Sequence, residues 1–168
     1  MKILIASDLH GDVPYTKALV DLFYEGGFDK LYLLGDLLLD SIDLLNPIAE
    51  KIVAVRGNCD GESDIEYARF PMPYLNLDYQ MGKVIILSHG HYESPYSYDK
   101  PYDIFFFGHT HCATLTEDYE GHILANPGSF AFPRDGLHSY LVMDENGLKL
   151  YDYNAGGLLK SLDFQKER

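Results

Sequence analysis

The fold is decided by residues 2–36, KILIASDLHGDVPYTKALVDLFYEGGFDKLYLLGD. Lys2 to Ser7 is a short, nearly uninterrupted apolar run, the pattern of a strand buried on both faces. Asp12 then caps a helix and Pro14 suits its first turn. Ala18, Leu19, Leu22 and Phe23 share one helical face, and Gly26-Gly27 ends it. Leu31 to Leu34 is a second run of the first kind. The stretch therefore reads as strand, crossover helix and parallel strand.

Working outward, Ile52 to Val55 repeats the buried-strand pattern. A second helix is expected over about Ser41 to Glu50, with Pro47 bound to kink or stop it, and Ser63 can cap a short third helix through Ala68. Past Tyr74 strand patterns take over: Leu75 to Gln80, Lys83 to Ser88, Ile104 to Phe107, Thr114 to Asp118, His122 to Ala125, Ser139 to Met143 and Lys149 to Tyr153. Met81-Gly82, Glu120-Gly121 and Asn146-Gly147 fall between pairs of them as hairpin turns. The expected architecture is α/β, two packed sheets with outer helices, with no internal repeat or linker. At 168 residues the chain suits a single domain, 1–168, large enough to bury a core without disulfides.

Composition narrows the function classes. With 46% hydrophobic and 23% charged residues, disorder is not expected, and no apolar run is long enough to cross a bilayer. Asp8, His10 and Asp12 interrupt the N-terminal apolar stretch, which reads as a buried strand and not as an export signal. The two cysteines, Cys59 and Cys112, are too few for a disulfide framework, so a reducing cytoplasm is the expected location. The formal net charge of -13 disfavours long nucleic acids, whose binders place basic side chains on phosphates. A small phosphorylated molecule escapes most of that repulsion, because exposed charges are screened over about 8 Å at physiological salt. Membrane association is not expected, and the oligomeric state, a homo-oligomer included, is left open.

Polar, metal-competent residues directly follow five of the apolar runs: Asp8-Leu9-His10, Gly35-Asp36, Gly57-Asn58, His89-Gly90-His91 and Gly108-His109-Thr110-His111. Parallel strands bring their C-terminal ends to one edge, so clusters scattered in sequence converge there. Each alone has an ordinary explanation as a cap or turn; five in this order do not. Asp8, His10, Asp36 and His111 offer oxygen and nitrogen to one divalent ion, and Asp36, Asn58, His89 and His109 to a second, with Asp36 bridging. Hard oxygen mixed with imidazole points to manganese first, then iron, zinc or nickel.

These residues resemble, in order, the motif series of the calcineurin-like metallophosphoesterases, over most of the chain. Val55-Arg56-Gly57-Asn58-Cys59-Asp60 and Asn126-Pro127-Gly128-Ser129 are similar to the small bacterial phosphodiesterases of the YfcE type. The resemblance implies a four-layer α-β-β-α sandwich with two mixed sheets, and the two-metal ligand set given above. His10 is either a ligand or a group poised over substrate, and the resemblance favours the ligand. The expected reaction is in-line attack of a metal-bridging hydroxide on a small phosphodiester, with Asn58 holding a phosphoryl oxygen.

The chain departs from many relatives at Cys59, where they carry histidine. A thiol protonates a leaving group poorly compared with an imidazolium, which favours activated aryl diesters over alkyl monoesters; the alternative is a buried, inert thiol. Arg56 and Arg134 are candidate phosphate contacts, or simply solvated and ion-paired side chains. Tyr92, Tyr96, Tyr98 and Tyr102 either stack an aryl or nucleobase group or pack ordinarily. His91, two residues beyond His89, either reaches a position behind the ligands or is a polar surface residue, the reading preferred here; His122 and His138 read as surface residues, and Cys112 as a small packed residue that extended-chain alternation turns away from the site. The rival functions are a non-catalytic scaffold of the same fold, as in the retromer complex, a phosphomonoesterase and a nuclease.

Overall fold

In the computed structural model, which describes residues 1–164, the expected crossover is present. Strand β1 (Ile3–Ala6) leads into α1 (Val13–Glu25), and β2 (Lys30–Leu33) returns parallel to β1 with Leu4 opposite Leu31. The helix begins where the side chain of Asp12 accepts the Tyr15 N–H at 2.9 Å, and it ends at Gly26 and Gly27, the latter at φ 66°. β3 (Ile52–Ala54) then adds beside β2, also parallel.

The second helical region is split. α2 spans Leu39–Leu45 and passes into a 3-10 segment, Asn46–Lys51, because Pro47 cannot donate to an α-helical ladder. α3 covers Glu62–Tyr67, and it starts from Gly61, not from Ser63 as expected: the Gly61 N–H donates to Asp64 Oδ2 at 2.8 Å.

The remaining strands are β4 (Leu75–Gln80), β5 (Lys83–Ser88), β6 (Ile104–Phe106), β7 (Thr114–Glu117), β8 (Ile123–Asn126), β9 (Ser139–Asp144), β10 (Gly147–Asp152) and β11 (Leu158–Asp163). They form two mixed sheets, one ordered β11-β10-β9-β1-β2-β3 and the other β4-β5-β6-β8-β7. β11 was not expected. It pairs antiparallel with β10 at the sheet edge, and its four leading residues are exposed, so no apolar alternation marks it. The β4–β5 turn has Met81 and Gly82 both at positive φ, as a tight hairpin requires.

Alternation along the strands builds two cores. Ile3, Ile5, Tyr32, Leu34, Ile85, Leu87, Ile104 and Phe106 meet between the sheets. Leu4, Ala6, Leu31 and Leu33 face the other way, onto Leu19, Phe23, Ile42 and Leu45 of the helices. On the outer side of the second sheet, Ile86, Phe105 and Leu124 stand in register and are buried. The cover over Phe105 there is not a helix but Tyr98 and Tyr102, each ring 5.6 Å from it. Among the described residues no helix is long and apolar enough to cross a membrane.

The parallel sets, β1-β2-β3 in one sheet and β5-β6-β8 in the other, point their C-terminal ends to a common edge. That edge carries every polar cluster singled out in the sequence. Phe106 is fully buried between the sheets, so Phe106→Ala is expected to destabilise by about 3–5 kcal/mol in urea titrations. Exposed Leu77→Ala on β4 should stay within about 0.5 kcal/mol of wild type.

Candidate metal centre

At this edge the chain turns sharply. Asp8, His10, Asp36, His109 and His111 all adopt left-handed backbone, with φ of 57°, 48°, 55°, 72° and 59°. Non-glycine residues held there cost about 1–3 kcal/mol each, which persists only where surrounding contacts fix the conformation. Two glycines make the close approach possible. A Cβ on Gly57 would collide with the Asp36 carboxylate, and one on Gly108 with Ser7 and Asp8.

The contacts that hold the turns come largely from residues outside the donor set. Asp60, only 3% exposed, accepts four backbone N–H bonds: Asp36 and Gly57 on Oδ2, both at 2.8 Å, and Leu37 and Leu38 on Oδ1 at 2.9 and 3.1 Å. Burial raises its pKa, and the N–H bonds pull in the opposite direction. The sequence shows Asp60 only as a motif neighbour of Asn58; nothing in the spacing reveals its four bonds. Asn126 donates to Gly108 O and Thr110 Oγ1, while Ser129 Oγ donates to Asp8 O at 2.8 Å. The Asn126-Pro127-Gly128-Ser129 turn thus ties the His109 loop to the Asp8 loop.

The donor atoms converge. Asp8, His10 and His111 place ligand atoms within 4.8 Å of one another, as do Asp36, His89 and His109, and a third group joins His10, Asp36 and Cys59. His10 Nε2 lies 3.2 Å from His111 Nε2, and His89 Nε2 lies 3.2 Å from His109 Nδ1. Asn58 Oδ1 is 3.0 Å from His109 Nδ1.

Tautomers sharpen this geometry. His89 Nδ1 donates to Leu34 O and His111 Nδ1 to Phe132 O, each at 2.6 Å, so the neutral rings keep lone pairs on Nε2. Those lone pairs face other acceptors: Asp36 Oδ2 at 3.2 Å from His89 Nε2, and Asp8 Oδ1 at 3.3 Å from His111 Nε2. Asp8 Oδ1 itself is buried with no hydrogen-bond partner among the described residues. Acceptors turned on acceptors, with an orphaned carboxylate oxygen among them, require protons or a cation between them. The mixed oxygen and imidazole donors suit a divalent transition metal, and the backbone-bonded imidazoles are oriented as metal-binding histidines are.

Electrostatics follow from the same contacts. Burial alone would raise Asp8, but the neighbouring imidazoles of His10 and His111 hold it far below the usual carboxylate range. Asp36 is lowered against burial by His89 and by the Cys59 N–H, which donates to its Oδ1 at 2.8 Å. Burial pulls His89 down, yet Asp36 and Asp8 leave it raised; bonding to Asp8 raises His111. His109 is lowered, by burial first and then by the charge of His89.

Cys59 is exposed at the mouth of the site, not buried and inert, and burial and then Asp36 push its thiol pKa up. Arg56 is engaged: it donates to Asp60 O and Glu62 Oε1, both at 3.2 Å, and lies 5.2 Å over the Tyr74 ring. Arg134 is exposed, its backbone N–H bonds His111 O, and its charge works against the net rise of the His111 pKa; among the described residues no hydrogen bond or ion pair holds its guanidinium. His91 is exposed beyond the strand end, but its ring sits 5.4 Å from that of His89 and 6.3 Å from that of His109, closer to the cluster than expected. His122 pairs with Asp118 and stacks on Tyr102, and His138 stacks on Tyr15 at 4.4 Å. Cys112 joins no donor group among the described residues; the segment there is a bend, so strand alternation is not what positions it.

Comparison with known proteins follows this geometry. The family model for the calcineurin-like phosphoesterase superfamily domain matches residues 1–147. Phosphodiesterase YfcE of Escherichia coli K12 is 32% identical over 95% of this chain and 96% of its own. Its solved structure superposes with a TM-score of 0.92 at 30% identity, covering 98% of this chain and 100% of that one. Phosphodiesterase MJ0936 of Methanocaldococcus jannaschii is 26% identical over 86% of this chain and 93% of its own. Vps29 of Entamoeba histolytica, solved with Zn2+, shares the fold at a TM-score of 0.72 and 21% identity, covering 98% and 100%.

The pKa directions set a pH dependence for the metal-free protein. Raised His89 and His111 stabilise it fully below the ordinary imidazole value of about 6.5, and that contribution is lost as pH rises through their higher folded values. Lowered Asp8 and Asp36 stabilise it above about 3.9, and lose that contribution only as pH falls through their lower folded values. Metal-free protein should therefore be held best between these limits. The rise in Tm on adding Mn2+ should be small near pH 5 and grow towards pH 8, read by thermal melts at fixed metal; a gain that shrinks with rising pH would contradict the site.

Proposed function

The chain belongs to the calcineurin-like phosphoesterase superfamily, and on that footing we propose that it is a two-metal-dependent phosphodiesterase acting on small phosphodiesters by in-line displacement. The observation that carries the reading is the convergence of imidazole nitrogens on buried carboxylates, His89 Nε2 at 3.2 Å from Asp36 Oδ2 and His111 Nε2 at 3.3 Å from Asp8 Oδ1, with Asp8 Oδ1 left without a hydrogen-bond partner among the described residues. Asp8, His10, Asp36 and His111 would hold one ion, and Asp36, Asn58, His89 and His109 the other, with Asp36 shared. Manganese is the first choice, with iron, zinc and nickel compatible. Bound there, such ions lower the pKa of a water nucleophile and neutralise charge on the phosphoryl oxygens.

The chain's own residues do the rest. Asn58, exposed at the mouth, is placed to donate its amide N–H to a phosphoryl oxygen. The guanidinium of Arg134, exposed and without a hydrogen bond or ion pair among the described residues, supplies a second, cationic contact for the diester anion. Arg56 braces the Asn58 loop through Asp60 O, with no direct contact to phosphate assigned to it. Cys59, with its raised thiol pKa, is a weak proton donor, so leaving groups that depart without protonation are favoured. Both cysteines are free, which fits a reducing compartment, and we place the protein in the cytoplasm.

Protein stripped with chelator should not hydrolyse bis(4-nitrophenyl) phosphate, and Mn2+ should restore turnover. Asp36→Ala or His89→Ala should lower it by about a hundredfold or more, as loss of a catalytic metal or its positioning does. Inactivity of folded protein with manganese, iron, zinc and nickel in turn would favour the scaffold reading instead. A second expectation concerns Cys59→His: in paired assays of 4-nitrophenyl phosphate and bis(4-nitrophenyl) phosphate, activity should shift towards the monoester. An unchanged ratio would remove position 59 from substrate choice.

A further inference from the structure

The metal cluster continues outward into a line of aromatic rings that the core does not use. From His89 and His109 the ring of His91 follows at 5.4 and 6.3 Å; Tyr74 lies 5.7 Å beyond His91, and Tyr92 lies 5.2 Å from Tyr74. Tyr74 is 42% and Tyr92 65% exposed, and His91 is exposed as well. The same segment shows what tyrosines outside the site do: Tyr98 and Tyr102 are half-buried and pack edge-on against Phe105. Tyr74 and Tyr92, in contrast, touch each other and keep much of their area in solvent beside the donor cluster. Aromatic area left open next to a cationic site is area available to a ligand ring.

The line is also held in place. Arg56 lies over the Tyr74 ring and is itself fixed by the backbone carbonyl of Asp60 and by Glu62, so Tyr74 is tied to the residue whose carboxylate anchors the Asp36 and Asn58 turns. Across the cluster stands Phe132, 49% exposed and edge-on to His10 at 6.0 Å, its carbonyl fixed by His111. A phosphodiester seated on the donor cluster has two ester arms, and aromatic surface flanks the cluster on both sides.

We propose that Tyr74, His91 and Tyr92 form a binding wall for a flat aromatic ester group of the substrate, aryl or nucleobase, with Phe132 available to the second arm. The wall selects the substrate class for the phosphodiesterase proposed above, and rests on that reading for its catalytic consequence. Stacking on a tyrosine tolerates either ring type, because each presents a π face.

Two arms test it. In the first, methyl 4-nitrophenyl phosphate, bis(4-nitrophenyl) phosphate and thymidine 5′-(4-nitrophenyl phosphate) share one leaving group and differ in the other ester. Wild-type kcat/KM should be at least about tenfold higher for the two ring-bearing esters than for the methyl ester, the scale of one stacked ring. Tyr92→Ala and Tyr74→Ala should each cut that ratio several-fold, mainly through KM. Tyr96→Ala, in the same segment but 86% exposed and outside the wall, should leave the ratio as in wild type. An aryl gain without a thymidine gain assigns the wall to aryl esters, and the reverse to nucleosides; equal kcat/KM for all three esters, or ratios unmoved in both tyrosine variants, overturns the proposal.

The second arm needs no turnover. Diphenylphosphinate and dimethylphosphinate carry the same anionic centre and have no ester bond to cleave. Calorimetry on Mn2+-loaded protein should show the diphenyl compound binding about tenfold more tightly, with the difference lost in the Tyr74→Ala, Tyr92→Ala double variant. Equal affinities overturn the wall even if the enzyme is active. A clear preference in a protein that hydrolyses none of the diesters keeps the wall and overturns the catalytic reading alone.

Discussion

Burying two carboxylates side by side is the constraint on which the site depends. Asp8 and Asp36 are almost without solvent exposure, and each raises the cost of ionising the other. Isolated buried carboxylates would take up protons. Here they remain ionised because imidazoles approach from one side and backbone or hydroxyl donors from the other: Ser7 Oγ at 2.6 Å and the His109 N–H at 3.2 Å on Asp8 Oδ2, and the Cys59 N–H on Asp36 Oδ1. Each carboxylate thus spends one oxygen on the protein and turns the other to the histidines. That division follows from the loop geometry, since only left-handed turns after β1 and β2 aim both side chains inward.

Strained turns need a fixed frame. One part of it is the packing of Ile3, Ile5, Tyr32 and Leu34 between the sheets, which fixes the strand ends. The other is Asp60, a third buried carboxylate, which balances its own desolvation with four N–H bonds from the two loops that carry Asp36 and Asn58. A single side chain therefore joins the loop after β2 to the loop after β3. Ser129 and Asn126 do the equivalent for the loops after β1 and β6. The left-handed strain is thereby offset locally, close to where the chemistry requires rigid placement.

How much of this the sequence shows depends on whether a feature is local. The α1 crossover was readable because its cap, its apolar face and its terminal glycines are all encoded within residues 12–27. The polar clusters were readable because each directly follows an apolar run, and parallel strands must deliver such positions to one edge. β11 was not readable: it is held mainly by its backbone ladder to β10, and Leu158 to Ser161 are exposed, so selection for alternation is absent. The role of Asp60 was hidden, and that of His91 left undecided, for a different reason. Asp60 acts on amides up to 24 residues away, and His91 reaches His109 only because β5 and β6 are neighbours. Long-range backbone acceptance leaves no trace in residue spacing.

The acidic balance of the chain gains a specific meaning beside this geometry. A formal net charge of -13 repels polyanions over roughly a Debye length of about 8 Å, so an extended nucleic acid, touching much surface at once, meets the whole field. A small diester meets only the edge, where Arg134 stands beside four imidazoles and two carboxylates and where divalent ions would add net positive charge. Within that short range, affinity comes from charge at the phosphoryl group, and discrimination comes from whatever the two ester arms touch. The surface beside the cluster is aromatic rather than basic, through Tyr74, Tyr92 and Phe132. On the proposed reading, field and rim would act in the same direction: charge would keep long phosphodiester chains away, and the rings would sort small ones.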